Sequence, residues 1–270
     1  MNTRAIRAII RKDLRVVSQN KGVTIPLVAV PIILFVALPA LAAFIPALQG
    51  ATGTSDFASF LQGMPAGLKS SIAGYNPDQQ LIIALVVYLM APMFLIVPLM
   101  VASVIAADSF AGEKERKTLE ALIYTPTTDQ ELFLAKVLSA WLPALGVSLG
   151  GFVLYGLVAN AAAWPTMGRI FFPNGMWLVL VFWVAPAVAG LGLAVTVLVS
   201  ARAQGFQDAY QMGAIVVLPL LVLIVGQATG VMYFSIGLVF LLGLVFWVVT
   251  GALIWWGGRT FQRSEIIARL

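Results

Sequence analysis

Apolar residues gather in six long stretches, near Val23–Leu48, Leu81–Ala107, Val137–Ala159, Met176–Ser200, Tyr210–Gln227 and Val231–Trp256. Each reaches or approaches the roughly 20 residues needed to cross about 30 Å of hydrocarbon at about 1.5 Å per residue. The pattern predicts an all-α integral membrane protein of six transmembrane helices, organised as one domain over 1–270. Only Ala228-Thr229-Gly230 parts the last two stretches, so a tight hairpin is expected there. Ahead of the first stretch, Ile6, Ile9, Ile10, Leu14 and Val17 recur at helical spacing, while Arg4, Arg7, Arg11 and Arg15 take another face. Residues 1–22 read as an amphipathic interfacial helix with its basic side toward anionic headgroups. Asp13 interrupts the apolar arc, either paired with a nearby Arg or Lys or held for a partner subunit.

Composition agrees with the pattern. Hydrophobic residues make up 61% and charged residues 10% of the chain, against about 25% charged in soluble domains. Mean hydropathy is +0.98. The chain holds no cysteine and no histidine, which excludes disulfides, thiolate chemistry, the usual zinc sites and histidine acid–base work.

The net charge of +5 is explained by where the cations sit. Fourteen of the sixteen Lys and Arg fall in the N-terminal arm, the 108–136 loop, the 200–210 loop and the 257–270 tail; Lys69 and Arg169 lie in the alternate loops. The positive-inside rule then places both termini and those two loops in the cytoplasm of a cell-membrane protein. Ala40-Leu41-Ala42 resembles a signal-peptidase site, but the apolar run around it is too long for an ordinary signal sequence, so the first span is expected to stay. Trp164, Trp177, Trp255 and Trp256 near span ends fit interfacial anchoring. Prolines in the first two spans predict kinks, and Tyr88, Ser103, Ser139 and Gln227 are mild polar exceptions expected to be satisfied by neighbouring helices. The outer 49–80 loop reads as a lid, a short interfacial helix or a linker.

The chemistry of the spans is spare. They contain no Asp, Glu, Lys, Arg or His, which weighs against an ion-coupled carrier acting alone. Phosphate-loop, zincin and nucleophile-elbow motifs are missing, so no catalytic residue and no metal site is expected in this chain. Charge returns abruptly at Glu113-Lys114-Glu115-Arg116-Lys117-Thr118-Leu119-Glu120, six charges in eight residues. Hydrocarbon cannot host that density, so the segment belongs at a membrane face. By charge alone it serves equally as a docking element or as a solvated loop. Pro126 ends its helix after Thr125, and Thr128-Asp129-Gln130-Glu131 forms a capping box that starts the next.

The run from Glu113 to Leu122, followed by Thr125-Pro126 and Lys136, resembles the signature of type-2 ABC exporter permeases. In that family an E-(x)-E-[KR]-x-x-G/T-L-E-x-L-x-x-[TS]-P stretch follows the second span and sits on the ATPase subunit. Lys117-Thr118 stands here where the family often has glycine-threonine. The resemblance implies a non-catalytic permease subunit that couples ATP hydrolysis on two cytoplasmic ATPase subunits to export. It also implies a second permease subunit, with ATP and magnesium bound by the ATPase partner. Docking then falls to Glu113, Lys114, Glu115, Arg116, Lys117, Thr118, Leu119, Glu120, Thr125 and Pro126. Arg202, Gln204 and Asp208 of the 200–210 loop form a smaller contact or a plain connector. Membrane lipids are expected partners and nucleic acid is not. An ATPase-recruiting maturation scaffold and an autonomous carrier are the rival readings.

Overall fold

The computed structural model describes residues 3–49, 65–116, 128–200 and 202–260. Lys117, Thr118, Leu119, Glu120, Thr125 and Pro126 of the expected docking segment lie outside the described residues, as does the tail beyond 260. In chain order the helices are α1 (Thr3–Gln19), α2 (Lys21–Pro46), α3 (Ala66–Ile72), α4 (Pro77–Glu115), α5 (Asp129–Met167), α6 (Gly175–Ser200), α7 (Phe206–Ala228) and α8 (Ile236–Thr260). No strand occurs among the described residues. Six of the helices, α2 and α4 to α8, are long and apolar enough to cross a membrane.

Local chemistry sets several of the ends. The Asn20 side chain accepts from Gly22 N and starts α2, and Asn174 accepts from Trp177 N to start α6. Thr128 and Glu131 close the expected capping box of α5 in both directions. Gly168, at φ +61°, ends that helix in the left-handed conformation glycine tolerates.

The proline effect is sharper than a simple kink. α2, α4 and α6 each widen into a π turn, at Ile33–Ala37, Ile83–Leu89 and Leu180–Val184. Pro39, Pro92 and Pro186 follow these turns. A proline lacks an N–H and crowds the carbonyl four residues back, here that of Phe35, Tyr88 or Phe182, and the wider turn relieves the crowding. Two carbonyls of the α4 turn accept side-chain bonds. Tyr155 Oη donates to Val86 O at 2.5 Å and Trp177 Nε1 to Val87 O at 2.7 Å.

α4 and α6 are the mostly enclosed helices, while α2, α5, α7 and α8 present much of their surface outward. α6 is packed against both α4 and α8. Its inner positions are small: Ala185, Ala187, Ala189, Gly190, Gly192 and Ala194 are all buried. A Cβ on Gly192 would lie 2.9 Å from the Leu99 carbonyl oxygen and 2.7 Å from Ser103 Oγ. Such close backbone approach is how helices gain contact where lipid is as apolar as leucine. On the other side, Thr250 Oγ1 donates to Ala187 O at 3.0 Å, and a Cβ on Gly190 would meet Thr250 Cγ2 at 2.7 Å.

An aromatic cluster of Phe35, Phe94, Phe152, Tyr155, Phe172 and Trp177 ties α2, α4, α5 and α6 together. Trp177 is fully buried in it, so it is a core residue and not the interfacial anchor its position suggests; Trp164, Trp255 and Trp256 are exposed. At the same end, α3 packs under Tyr233: Ser71 Oγ and Tyr233 Oη lie 2.8 Å apart, and Leu68 and Ile72 are buried. Gln79 Nε2 donates to Thr166 O at 3.0 Å, joining the start of α4 to the end of α5.

Other expectations are corrected. α4 runs eight residues past Ala107, to Glu115, and Asp108–Gly112 are buried within the protein. The hairpin between α7 and α8 is not three residues but Thr229–Ser235, with Gly230 at φ +73° and Met232 N bonded to Gly226 O. Among the described residues, Ser103 Oγ and Gln227 Oε1 are buried without a hydrogen-bond partner, unlike Ser139, which is bonded. Among the described residues, nothing lies within 4 Å of where a Cβ on Gly146 or Gly150 would stand.

Candidate functional site

The charged stretch after Ala107 is no free loop but the continuation of α4. If the uncharged stretch Leu81–Ala107 is centred on the bilayer, Glu113 lies about 28 Å along the helix from the centre. That distance clears hydrocarbon about 15 Å thick on each side. A fourth π turn, Asp108–Gly112, marks the transition, and no proline causes it. Instead Lys136 Nζ of α5 donates to the Ser109 carbonyl, so a side chain enters the backbone ladder.

That lysine anchors a compact ionic cluster. Lys136 is fully buried, and its Nζ lies 2.6 Å from Glu113 Oε2. Lys12 of α1 donates to the other oxygen, Glu113 Oε1. Lys12 also lies 3.2 Å from Asp13 Oδ1. Asp13 Oδ2 accepts from Ser139 Oγ at 3.0 Å and from Ser109 Oγ at 3.3 Å. One step toward the helix end, Arg116 bonds both oxygens of Asp108, at 3.0 and 3.3 Å. A Cβ on Gly112 would crowd this pair, at 3.0 Å from Asp108 Oδ1 and 3.2 Å from Arg116 Nη2.

Three cations (Lys12, Arg116, Lys136) thus meet three anions (Asp13, Asp108, Glu113) from α1, α4 and α5. Burial lowers the pKa of the Lys12 ammonium, but Glu113 and Asp13 outweigh it and hold the group above its ordinary value. The hydrogen bond to Asp108 likewise raises that of Arg116. Apolar contacts hold the frame: Ile6 and Ile9 of α1 pack on Leu132 and Ala135 of α5. Ile6, Ile9 and Val17 of the apolar arc of α1 are therefore covered by protein, while Leu14 is exposed. Asp13 is paired within the chain, as the first of its two readings had it.

The outer side of the same helix end reaches the second loop. Lys114 Nζ donates to Ala203 O at 3.2 Å. Glu115 Oε2 accepts from Phe206 N at 2.9 Å, so α4 supplies an anionic cap to the first turn of α7. Asp208 accepts from Gln204 N at 2.9 Å and closes the turn before that helix. Beneath these bonds Ala107 and Ala111 of α4 pack on Ala203 and Ala209. A Cβ on Gly205 would stand 2.5 Å from Glu115 Oε2, so a side chain there makes the carboxylate swing away from the cap. Gly205→Ala is expected to detach Glu115 from α7. Cysteines at 111 and 209, which pack together and leave Glu115 and Phe206 in place, should then cross-link severalfold more slowly in this cysteine-free chain than with Gly205 present; an unchanged rate would show that the cap tolerates a side chain.

The expected site residues thus divide. Glu113 is buried and turned inward. Lys114 and Glu115 join the second loop, Arg116 folds back on Asp108, and Arg202, Gln204 and Asp208 are exposed beside them. Sequence reasoning missed Asp108 and Lys136, which it placed at the ends of a loop. The signal was present: Ser109, Glu113 and Arg116 continue the α4 pattern at helical spacing.

The three basic segments, α1, the end of α4 and the 202–206 turn, therefore meet at one end of the bundle. The family model for ABC-2 family transporter protein matches residues 7–254. No curated protein and no solved structure gave a match. With six apolar helices and a match that runs from α1 into α8, the chain belongs to the ABC-2 transporter family and is a multi-pass membrane permease.

Proposed function

We propose that this permease is the membrane subunit of an ATP-driven exporter in the cell membrane, with both termini in the cytoplasm. It works with a second permease subunit and two cytoplasmic ATPase subunits that bind ATP and magnesium. The observation that carries this reading is the joining of the two expected docking segments: Lys114 and Glu115 bond the Ala203–Phe206 turn. A soluble partner pressing on either segment would move both, along with α4, α5 and α7 behind them. Closure of the ATPase pair would then shift the population between inward- and outward-facing states, because it contacts the two states differently. The inward burial of Glu113 supports a role in holding α4 in place, with partner contact proposed for the other residues of the segment.

The test is gentle purification of the tagged chain from its native membrane. A stoichiometric soluble ATPase is expected, lost in Lys117→Glu/Glu120→Lys while the permease keeps its amount and thermal stability. A well-folded chain that arrives alone and supports no ATP hydrolysis would overturn the reading in favour of an autonomous carrier.

A further inference from the structure

We propose that α1 is an anionic-phospholipid binding element, with Arg4, Arg7, Arg11 and Arg15 gripping headgroup phosphates along one exposed stripe. At about 3.6 residues per turn the four side chains fall within about 80° of arc, and all four are exposed. The opposite arc, with Ile6, Ile9, Asp13 and Val17, is buried against the protein. The stripe therefore faces away from the body of the protomer.

Among the described residues its charge is uncompensated. Asp13, the one acid on α1, is turned inward to Lys12, Ser109 and Ser139. None of the four arginines forms an ion pair among the described residues. Arg7, Arg11 and Arg15 follow one another at four-residue spacing, which places like charges side by side and destabilises an isolated helix. An anionic surface outside the chain offsets that repulsion. The guanidinium fork suits it, because it bonds phosphate oxygens in pairs where an ammonium offers a point charge.

Position selects lipid over an acidic protein. One residue, Asn20, joins α1 to α2, and Thr24 Oγ1 of α2 donates back to Val17 O at 2.9 Å. The C-terminal turn of α1 is thus fixed to the start of a membrane span, at headgroup depth. Leu14, at 37% exposure, flanks the stripe, and Ile25 and Val28 are exposed just beyond it. A basic row edged by apolar side chains matches the boundary between headgroups and acyl chains.

The test titrates dioleoyl phosphatidylglycerol into the full chain, held in nanodiscs otherwise of phosphatidylcholine, and counts bound lipid by native mass spectrometry. Wild type is expected to retain phosphatidylglycerol preferentially, and to lose the preference as salt rises from low to high ionic strength. R4Q/R7Q/R11Q/R15Q should cut that preference by at least about fivefold, since each cation near a charged surface is worth about that factor. The control K69Q/R169Q, at the other end of the bundle, should keep it. Equal retention by the two variants, or a wild-type preference indifferent to salt, overturns the proposal. So does a quadruple variant that keeps its phosphatidylglycerol but loses a co-purifying soluble ATPase, which would give the stripe to a protein partner.

Discussion

Lys136→Met is expected to destabilise the permease by about 3–5 kcal/mol, the usual loss when one member of a buried ion pair is removed. Lys136 is fully buried and donates both to Glu113 and to the Ser109 carbonyl. The variant leaves Glu113 in place, one cation short, and strips a donor from a backbone oxygen inside a π turn. Lys12 cannot fill the gap, because it stands on the other carboxylate oxygen. A thermal series on the purified chain, following the folded fraction by size-exclusion chromatography, should show a lower midpoint. Removing both charges in Glu113→Gln/Lys136→Met should recover part of the loss, because the buried anion goes as well. A single variant that melts like wild type would mean that the pair contributes nothing to stability.

The second large effect is expected at the seam between α4 and α6. Gly192→Val should cost about 1–3 kcal/mol or more, the range for forced overpacking. The obstacle is a backbone atom, the Leu99 carbonyl oxygen, which cannot swing aside as a side chain can. Ser103→Gly should therefore fail to rescue it, although Ser103 Oγ is the nearer atom. Gly146→Val is the matched control: no described residue lies within 4 Å of a Cβ there, so its melting point should stay close to wild type. Equal midpoints for the two valine variants would mean that α6 is free to move away from α4.

Much of this architecture was legible in the residues. Uncharged runs of membrane length gave the six spans, and Thr128 with Glu131 announced the start of α5. The site was harder to read for a physical reason. A charge cluster in a sequence looks solvated, and whether its members pair within the chain depends on residues far away. Glu113 finds Lys12 a hundred residues back and Lys136 on the next helix, contacts that no local pattern encodes. The same limit explains Trp177. Its place near a span end suggests a lipid interface, but the α4 π turn exposes a carbonyl for its indole and draws it into the core. Glycine was equally hard to read: Gly192 and Gly205 sit at close contacts that no local pattern marks.

α4 and α5 are joined at both ends. Glu113 and Lys136 lock one end, and Gln79 with the Thr166 carbonyl locks the other. The two joints are about 45–51 Å apart along the helices, farther than the bilayer is thick. Tyr155 adds a cross-strut to Val86 between them. Two rods fastened at both ends and braced between make a truss, which resists scissoring and tilts as one piece. A push on the Glu115 end of α4 would therefore swing the whole pair, and the sliding needed to open a pathway would fall to surfaces outside the truss.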